Sequence, residues 1–428
     1  MDVHSFLALF IFATVYILMV LDLADRTVLV IAGSLLMVGL GIISLDDALK
    51  SIEWNAIGLI FGMFILIGAL AESGFFRWIG LHFLRLTQFD AIKIFIAFCG
   101  LCAFLAAFMD SITVMVFMAS LTIEVATILK IEPLPFIIAE ICSANIGGSA
   151  TLVGDPPNVI LGTAFNFSFV DFVLHSGPIS IIAFFANLLL FMYAYRRNFK
   201  KQEIDVEEII KNHKDLDPFS AVRDITQMRI ALVIFAFTVT LLVLHSVLDL
   251  LVAFVAVLGG TLILLLGRRK YDDLIQKIDW HTIIFLSGLF VMVGGLESAG
   301  LLSNLGHQIG QLAHGTGSFW FPTIFFWFIA TASIFLDNIP MAAAMVPVIR
   351  TISVDSEINL SSLTFTASLA CDVAGNATPI SASANVVGLA VAEKNGIKWS
   401  WKEYCKLAIP ILLIVLLLTN LLVVILLW

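Results

Sequence analysis

Two aspartates lie in the middle of long apolar segments, at matching places in the two halves of the chain. Asp110 lies within the segment 94–129 and Asp337 within the segment 320–349. A carboxylate in apolar surroundings is unstable unless it is hydrogen-bonded, binds an ion or carries a proton. We predict that this pair binds the substrate or the coupling ion. The alternative role, which is compatible with the first, is to cap the helix that follows each aspartate.

Polar residues, glycine and proline interrupt two further apolar segments, 134–164 and 362–391. Glycine permits unusual backbone conformations and proline removes a backbone donor, so each interruption predicts a broken helix. Free backbone groups persist in apolar surroundings only around a cavity or an ion, whereas Gly and Ser alone would indicate close helix packing. Because both segments are broken at equivalent places, we favour a binding site. Its neutral ligands would come from Ser143, Asn145, Ser149, Thr151, Asn376, Thr378, Ser381 and Asn385, with Asp155 and Asp372 as secondary carboxylate candidates.

The composition is that of a membrane protein. Of the 428 residues, 60% are hydrophobic and only 13% are charged, with a mean hydropathy of +1.04. In soluble domains about a quarter of the residues are charged. Several apolar stretches are long enough to cross a bilayer as helices. The net charge of −9 excludes nucleic acid as a partner, and the high hydrophobicity excludes a disordered chain. We therefore predict an all-α polytopic protein embedded in the lipid bilayer.

The two halves of the chain repeat each other. Three pairs of segments match at a nearly constant offset, and they align Gly148 with Gly375 and Asn158 with Asn385. The matching segments are 51–76 with 277–302, 108–119 with 335–346, and 144–159 with 371–386. A repeat of this kind indicates an internal duplication. We predict two structural repeats, 1–195 and 230–428, joined by a cytoplasmic linker at 196–229.

Lysine and arginine are distributed unevenly around the predicted spans. The polar loop 73–93 carries Arg77, Arg85 and Lys93, whereas the equivalent loop 298–320 has neither lysine nor arginine. By the positive-inside rule the first loop is cytoplasmic and the second external, so the repeats have opposite orientations and both termini lie outside. About ten transmembrane helices result, and the two aspartate-bearing segments must then be re-entrant hairpins. Inverted repeats with two broken helices are typical of secondary transporters.

No motif for catalysis or for a resident cofactor stands out in the sequence. The ATP-binding pattern G-x-x-x-x-G-K-[ST] is absent, and the eight histidines do not cluster like metal ligands. The five cysteines lie in or beside apolar segments, which favours packing thiols over a redox or soft-metal pair at Cys99 and Cys102. We predict a protein that is not an enzyme, needs no cofactor or metal, and uses a proton or sodium as its coupling ion.

Three motifs resemble the ion transporter superfamily, and within it the ArsB/NhaD/CitM group: Ser143–Gly148, Thr151–Asn158 and Leu336–Pro340. This group includes arsenite and antimonite efflux permeases, sodium–proton antiporters and citrate carriers. The resemblance implies an elevator movement, in which the hairpins and broken helices move against a static scaffold. It also implies that the substrate binds between the tips of the hairpins and the breaks in the broken helices. It adds Ser111 and Asn338 to the site. The predicted binding residues are then Asp110, Ser111, Asn145, Gly148, Thr151, Asp337, Asn338, Asn376 and Thr378, with Asp155, Asn158, Asp372 and Asn385 as secondary candidates.

The charge of the predicted site favours an uncharged or cationic substrate, because no lysine or arginine lies in the tips or breaks. The tips read Asp-Ser-Ile and Asp-Asn-Ile, whereas the dicarboxylate branch carries Ser-Asn-Thr. The chain therefore looks closest to the arsenite permease ArsB, and we predict a proton-coupled antiporter that exports arsenite or antimonite. The alternatives are a sodium–proton antiporter and a citrate or dicarboxylate carrier.

The resemblance also implies a cellular setting and partners. It points to the inner membrane of a prokaryote. Members of the group pair through scaffold surfaces, so a homodimer is one candidate assembly. Arsenical pumps resemble the membrane half of an ATP-driven complex, so a cytoplasmic ATPase subunit that docks on 196–229 is another candidate partner.

Overall fold

The protein is helical throughout the part described by this computed structural model, which comprises residues 3–21, 23–196, 217–267, 276 and 278–428, the side chains of 314–319 excepted. No strand occurs among these residues. Eight of the described helices are long and apolar enough to cross a membrane. The prediction of an all-α polytopic membrane protein is therefore confirmed.

The described residues of the first half form ten α-helices. They are α1 Val3–Val20, α2 Arg26–Gly39, α3 Leu45–Ser51, α4 Trp54–Ser73, α5 Phe75–Leu86, α6 Ala91–Ala106, α7 Ser111–Leu129, α8 Leu134–Gly148, α9 Pro156–Ala164 and α10 Phe169–Tyr195. Most of the predicted linker, residues 197–216, lies outside the described residues. A short 3-10 helix, Pro218–Ala221, follows it.

The described residues of the second half form eight α-helices. They are α11 Ile225–Leu244, α12 Val252–Leu266, α13 Trp280–Ser298, α14 Leu301–Phe335, α15 Asn338–Ser356, α16 Leu360–Ala374, α17 Ser383–Lys394 and α18 Trp401–Leu426. Both predicted hairpins are present, as α6 with α7 and as α14 with α15. Both predicted broken helices are also present, as α8 with α9 and as α16 with α17.

The helices pack as two bundles. The scaffold bundle contains α1, α2, α4, α11, α12 and α13, with α4 packed closely on α12 and α2 on α13. Glycine allows this close approach, since a Cβ at Gly62 of α4 would lie 2.3 Å from the carbonyl carbon of Ala256. The hairpin bundle contains α6 to α10 and α14 to α18. Within it, α7 packs on α17 and α15 on α9, so each hairpin contacts the broken helix of the other half.

One boundary differs from the prediction. Residues 298–320 were expected to form an external loop before the second hairpin, but α14 runs as one helix of 35 residues from Leu301 to Phe335. Gly300, in the left-handed conformation, starts this helix, and Leu302 and Ile309 bury one face of it. The polar and glycine-rich sequence concealed that apolar face. The equivalent loop of the first half also contains a helix, α5, which is separated from α6 by a turn.

Candidate functional site

Two asparagines close the two breaks in the same way. Asn158 Nδ2 donates hydrogen bonds to the carbonyl oxygens of Gly148, at 3.0 Å, and Thr151, at 2.8 Å. Asn385 Nδ2 donates to the carbonyls of Gly375, at 2.6 Å, and Thr378, at 2.8 Å. Each amide therefore satisfies two carbonyl oxygens that the interrupted helix leaves without an intrahelical donor. Both side chains are fully buried, and both act as structural groups of the breaks.

Asn145 joins the two breaks across the centre of the hairpin bundle. Its Nδ2 donates to Asn376 Oδ1 and to Asn385 Oδ1, both at 2.9 Å. Three buried polar atoms around this crossing have no hydrogen-bond partner within the described chain: Asn145 Oδ1, Asn376 Nδ2 and Thr378 Oγ1. A buried polar atom without a partner is energetically unfavourable. These atoms are therefore available to bind a polar ligand.

Asp155 is the point at which both hairpin tips meet the first break. Its Oδ1 accepts a hydrogen bond of 2.7 Å from Ser111 Oγ, and its Oδ2 accepts one of 2.8 Å from Asn338 Nδ2. Ser111 is the first residue of α7 and Asn338 is the first residue of α15. The structure thus brings together Ser111 and Asn338, which only the family resemblance had indicated. They meet around Asp155, a secondary candidate in the sequence.

Asp372 lies beside Asp155 and is also fully buried. Neither of its carboxylate oxygens receives a well-formed hydrogen bond from a donor in the described part of the chain, although the Asp155 carboxyl group and the Asn338 amide lie close by. Two buried carboxylates in contact are strongly unfavourable when both are ionised, so the pair requires a proton or a cation. The arrangement can therefore exchange a proton against a cation or against a solute that donates hydroxyl protons.

Asp110 and Asp337 cap the helices that follow them. Asp110 accepts hydrogen bonds from the backbone N–H and the hydroxyl of Thr113, both at 2.8 Å. Asp337 accepts from the backbone N–H of Ile339 at 3.2 Å. The capping role is thus observed for both, whereas the predicted ion-binding role stays a prediction.

Arg26 supplies a positive charge that the sequence did not place near the site. It lies at the start of α2 in the scaffold bundle, and its Nη1 is 3.2 Å from Asp337 Oδ2. A cavity of 360 Å³ adjoins this ion pair and is also lined by His281, Thr282 and Ser383. No arginine or lysine lies within the tips or breaks themselves, but the fold brings Arg26 to the second tip from more than 300 residues away. No sequence signal links the two positions.

Gly148 and Thr151 act on the backbone of the first break. A Cβ at Gly154 would lie 2.3 Å from the carbonyl oxygen of Gly148, so the two glycines let the ends of the break approach each other. The Thr151 hydroxyl donates to the carbonyl of Ala107 in the first hairpin tip. Thr151 therefore fixes the tip to the break, whereas the hydroxyl of its counterpart Thr378 has no such contact among the described residues.

The fold and the site together define a membrane transporter. Apolar helices are long enough to span the bilayer, and two hairpins and two broken helices meet around buried polar groups. The sequence pattern of the family described as "Citrate transporter" matches residues 16–370. The chain therefore belongs to the citrate transporter family. The membership is consistent with the predicted ion transporter superfamily, and it does not distinguish arsenite from other substrates.

Similar proteins agree with this class. The chain is 29% identical to the 46 kDa membrane protein of Mycobacterium leprae, over 96% of both chains. It is 30% identical to a protein described as an uncharacterized transporter in Mycobacterium tuberculosis, over 94% of both chains. The human P protein is 26% identical, over 94% of this chain and 58% of that protein. The YdaH transporter of Alcanivorax borkumensis has the same overall fold, with a TM-score of 0.60 and 13% identity over 88% of this chain and 86% of that one.

Proposed function

We propose that this chain is a secondary active antiporter that exports arsenite or antimonite in exchange for protons. The main support is the buried pair Asp155 and Asp372, which lies where both hairpin tips meet the first break. Two carboxylates surrounded by a hydroxyl and an amide form a site for protons or for a neutral solute rich in hydroxyl groups. Arsenous acid is such a solute at neutral pH.

The hydrogen-bonding capacity of the site supports an uncharged substrate. An ionised carboxylate accepts hydrogen bonds from solute hydroxyls, and the amide of Asn376 has a buried N–H group that lacks an acceptor in the described chain. Asn145 Oδ1 and Thr378 Oγ1 add further capacity. A citrate trianion would instead need several positive charges, whereas the cavity at the second tip is lined by one arginine, Arg26, which already pairs with Asp337, and by His281.

Exchange follows if the proton and the solute compete for the same carboxylates. A proton that enters from outside neutralises the pair and releases the solute, and a solute that binds from the cytoplasm displaces the proton. The two-bundle packing supports an elevator mechanism, in which the hairpin bundle carries this site past the scaffold bundle. Contacts of α4 with α9 and of α13 with α15 lie along the surface that would have to slide.

The proposal is tested with purified protein in sealed liposomes that contain a pH-sensitive dye. Arsenite, antimonite, sodium, lithium and citrate are added in turn across an imposed proton gradient. We expect a proton flux with arsenite and antimonite only, and its loss in Asp155→Asn and Asp372→Asn. The exposed Glu393, changed to Gln, provides a matched control for the loss of one carboxylate. A flux with citrate, or none with arsenite or antimonite, would overturn the substrate assignment.

Sodium–proton antiport is the second candidate function. It is favoured by the oxygen ligands of the site, namely the carboxylates of Asp155 and Asp372 with the unpartnered Asn145 Oδ1 and Thr378 Oγ1, because hard cations prefer oxygen. The same liposomes distinguish it. A proton flux that follows sodium or lithium, is unaffected by arsenite and still needs Asp155 would establish this function in place of arsenite export.

A further inference from the structure

A further buried carboxyl group, Glu140, lies in the hairpin bundle outside the site described above. Glu140 is on α8, five residues before Asn145, and is fully buried. Its Oε1 accepts a hydrogen bond of 2.5 Å from the hydroxyl of Thr122 on α7. Its Oε2 is buried and has no hydrogen-bond partner within the described chain. An intramembrane carboxyl group is rarely retained without a function.

Within the described part of the chain, no positive charge compensates Glu140. Among the described residues, none of the observed ion pairs includes Glu140. The titratable groups that face it are the buried thiols of Cys99 and Cys102 on α6. The titratable groups of the other packed helices face elsewhere: Glu124 on α7 pairs with Arg77, Tyr195 on α10 and Tyr404 on α18 face Cys142, and Asp372 on α16 faces Asp155. On α10, Asp171 bonds Ser168 and His175 stacks on Phe365. The charged groups that remain on α6, α17 and α18 are exposed, namely Lys93, Glu393, Lys394, Lys402, Glu403 and Lys406.

The equivalent pair in the second half of the chain is apolar. At the offset that aligns Asp110 with Asp337, Thr122 corresponds to Ile349, and Glu140 corresponds to Ala367. Both apolar residues are fully buried at the contact of α15 with α16, as Thr122 and Glu140 are at the contact of α7 with α8. Packing between a hairpin helix and a broken helix therefore does not require a carboxyl group. The first half has the polar pair Thr122 and Glu140 at a contact that the second half packs with the apolar pair Ile349 and Ala367.

Neither protonation state of Glu140 is fully satisfied in this conformation. The ionised form has one hydrogen-bond donor and no cation, whereas a proton on Oε2 would have no acceptor in the described chain. Intramembrane carboxyl groups mark proton relays in pumps and transporters, where the protonation state changes during the working cycle.

We propose that Glu140 is a second proton-binding site of the transporter, separate from the pair Asp155 and Asp372. The proton adds to Oε2 while Thr122 holds Oε1, and no other bond is formed or broken. Proton binding at Glu140 does not depend on the proposed function. Its contribution to coupling rests on that function, because it adds one proton to each exchange cycle.

The first test detects the proton itself and requires no transport. Infrared difference spectra of the purified protein between acidic and alkaline pH should contain a protonated-carboxyl band that is lost in Glu140→Gln. The band should remain in Asp155→Asn and in the control Glu393→Gln. A spectrum in which Glu140→Gln removes no titrating band would overturn the proposal.

The second test measures the number of protons moved per solute in the dye-loaded liposomes. Glu140→Gln and the double variant Glu140→Ala with Thr122→Ile, which installs the apolar pair of the second half, should keep solute exchange but lose one proton per solute. Wild-type stoichiometry in both variants would show that Glu140 is a permanently neutral packing group. If the wild-type protein moves no protons with any solute but keeps the infrared band of Glu140, the proposed function fails and the proton site stands.

Discussion

Asn338, at the tip of the second hairpin, donates a hydrogen bond of 2.8 Å to Asp155, at the break of the first half. The two residues are 183 positions apart in the chain and belong to different repeats. Ser111 makes the corresponding contact from the first hairpin to the other oxygen of the same carboxylate. One carboxylate therefore fixes both hairpin tips, and a change in its charge affects both at once.

Replacement of Asn338 by Ala should impair transport more than it impairs folding. The change removes one donor from a buried carboxylate, and a hydrogen bond to a charged group contributes about 1.5–3 kcal/mol. We expect weaker solute binding and a lower unfolding temperature in detergent. Ser111→Ala, which removes the other donor, should have a similar effect. Solute-dependent quenching of the dye signal and thermal unfolding measure the two quantities, and unchanged transport in both variants would contradict the role given to Asp155.

The ion pair of Arg26 with Asp337 should show energetic coupling between the two bundles. Asp337 has 8% of its side chain exposed and Arg26 has 32%, so loss of the arginine leaves a largely buried carboxylate without its partner. We expect Arg26→Gln to be more harmful than the double variant Arg26→Gln with Asp337→Asn, with a coupling of about 1 kcal/mol. Thermal unfolding of the four proteins in a double-mutant cycle measures it. Additive effects would show that the contact contributes nothing at the boundary.

The sequence predicted the architecture well because its signals are local or repeated. Hydrophobic stretches, glycine and proline at the breaks, and the aspartate in each hairpin all act within a few residues. The internal repeat then paired Asn158 with Asn385, which make the same two hydrogen bonds in the structure. The long helix α14 was missed because glycine and polar residues conceal its apolar face.

The relative importance of the carboxylates was not predictable in the same way. Asp110 and Asp337 are conspicuous in sequence because apolar residues surround them, yet both cap helices. Asp155 and Asp372 are adjacent only because the two repeats cross, and the contact of Arg26 with Asp337 also depends on tertiary packing. Long-range contacts of this kind leave no periodic or spaced pattern in a single sequence.

The two break asparagines should be equivalent in energy if the repeats are equivalent in structure. Each donates two hydrogen bonds to buried carbonyls and accepts one, from Ser368 in the case of Asn158 and from Asn145 in the case of Asn385. We expect Asn158→Ala and Asn385→Ala each to lower the free energy of unfolding by about 2–4 kcal/mol, since buried carbonyls lose their donors. Chemical denaturation in detergent measures both. A loss confined to one variant would show that only one break depends on its asparagine.

Two glycines on facing helices should respond in opposite ways to replacement by alanine. A Cβ at Gly147 of α8 would lie 2.2 Å from the carbonyl oxygen of Ala103 on α6, so Gly147→Ala must push the first hairpin away from the first break. Overpacking of this kind is destabilising by about 1–3 kcal/mol or more. A Cβ at Gly100 of α6 would have no atom within 4 Å, so Gly100→Ala should be neutral or stabilising by about 1 kcal/mol, because alanine favours the helix. Thermal unfolding and arsenite-dependent proton flux are measured for both variants. We expect Gly147→Ala to lose both stability and flux, because the displaced hairpin carries Ser111 away from Asp155. Wild-type flux in this variant would show that the hairpin tip keeps its position without the close contact of α6 with α8.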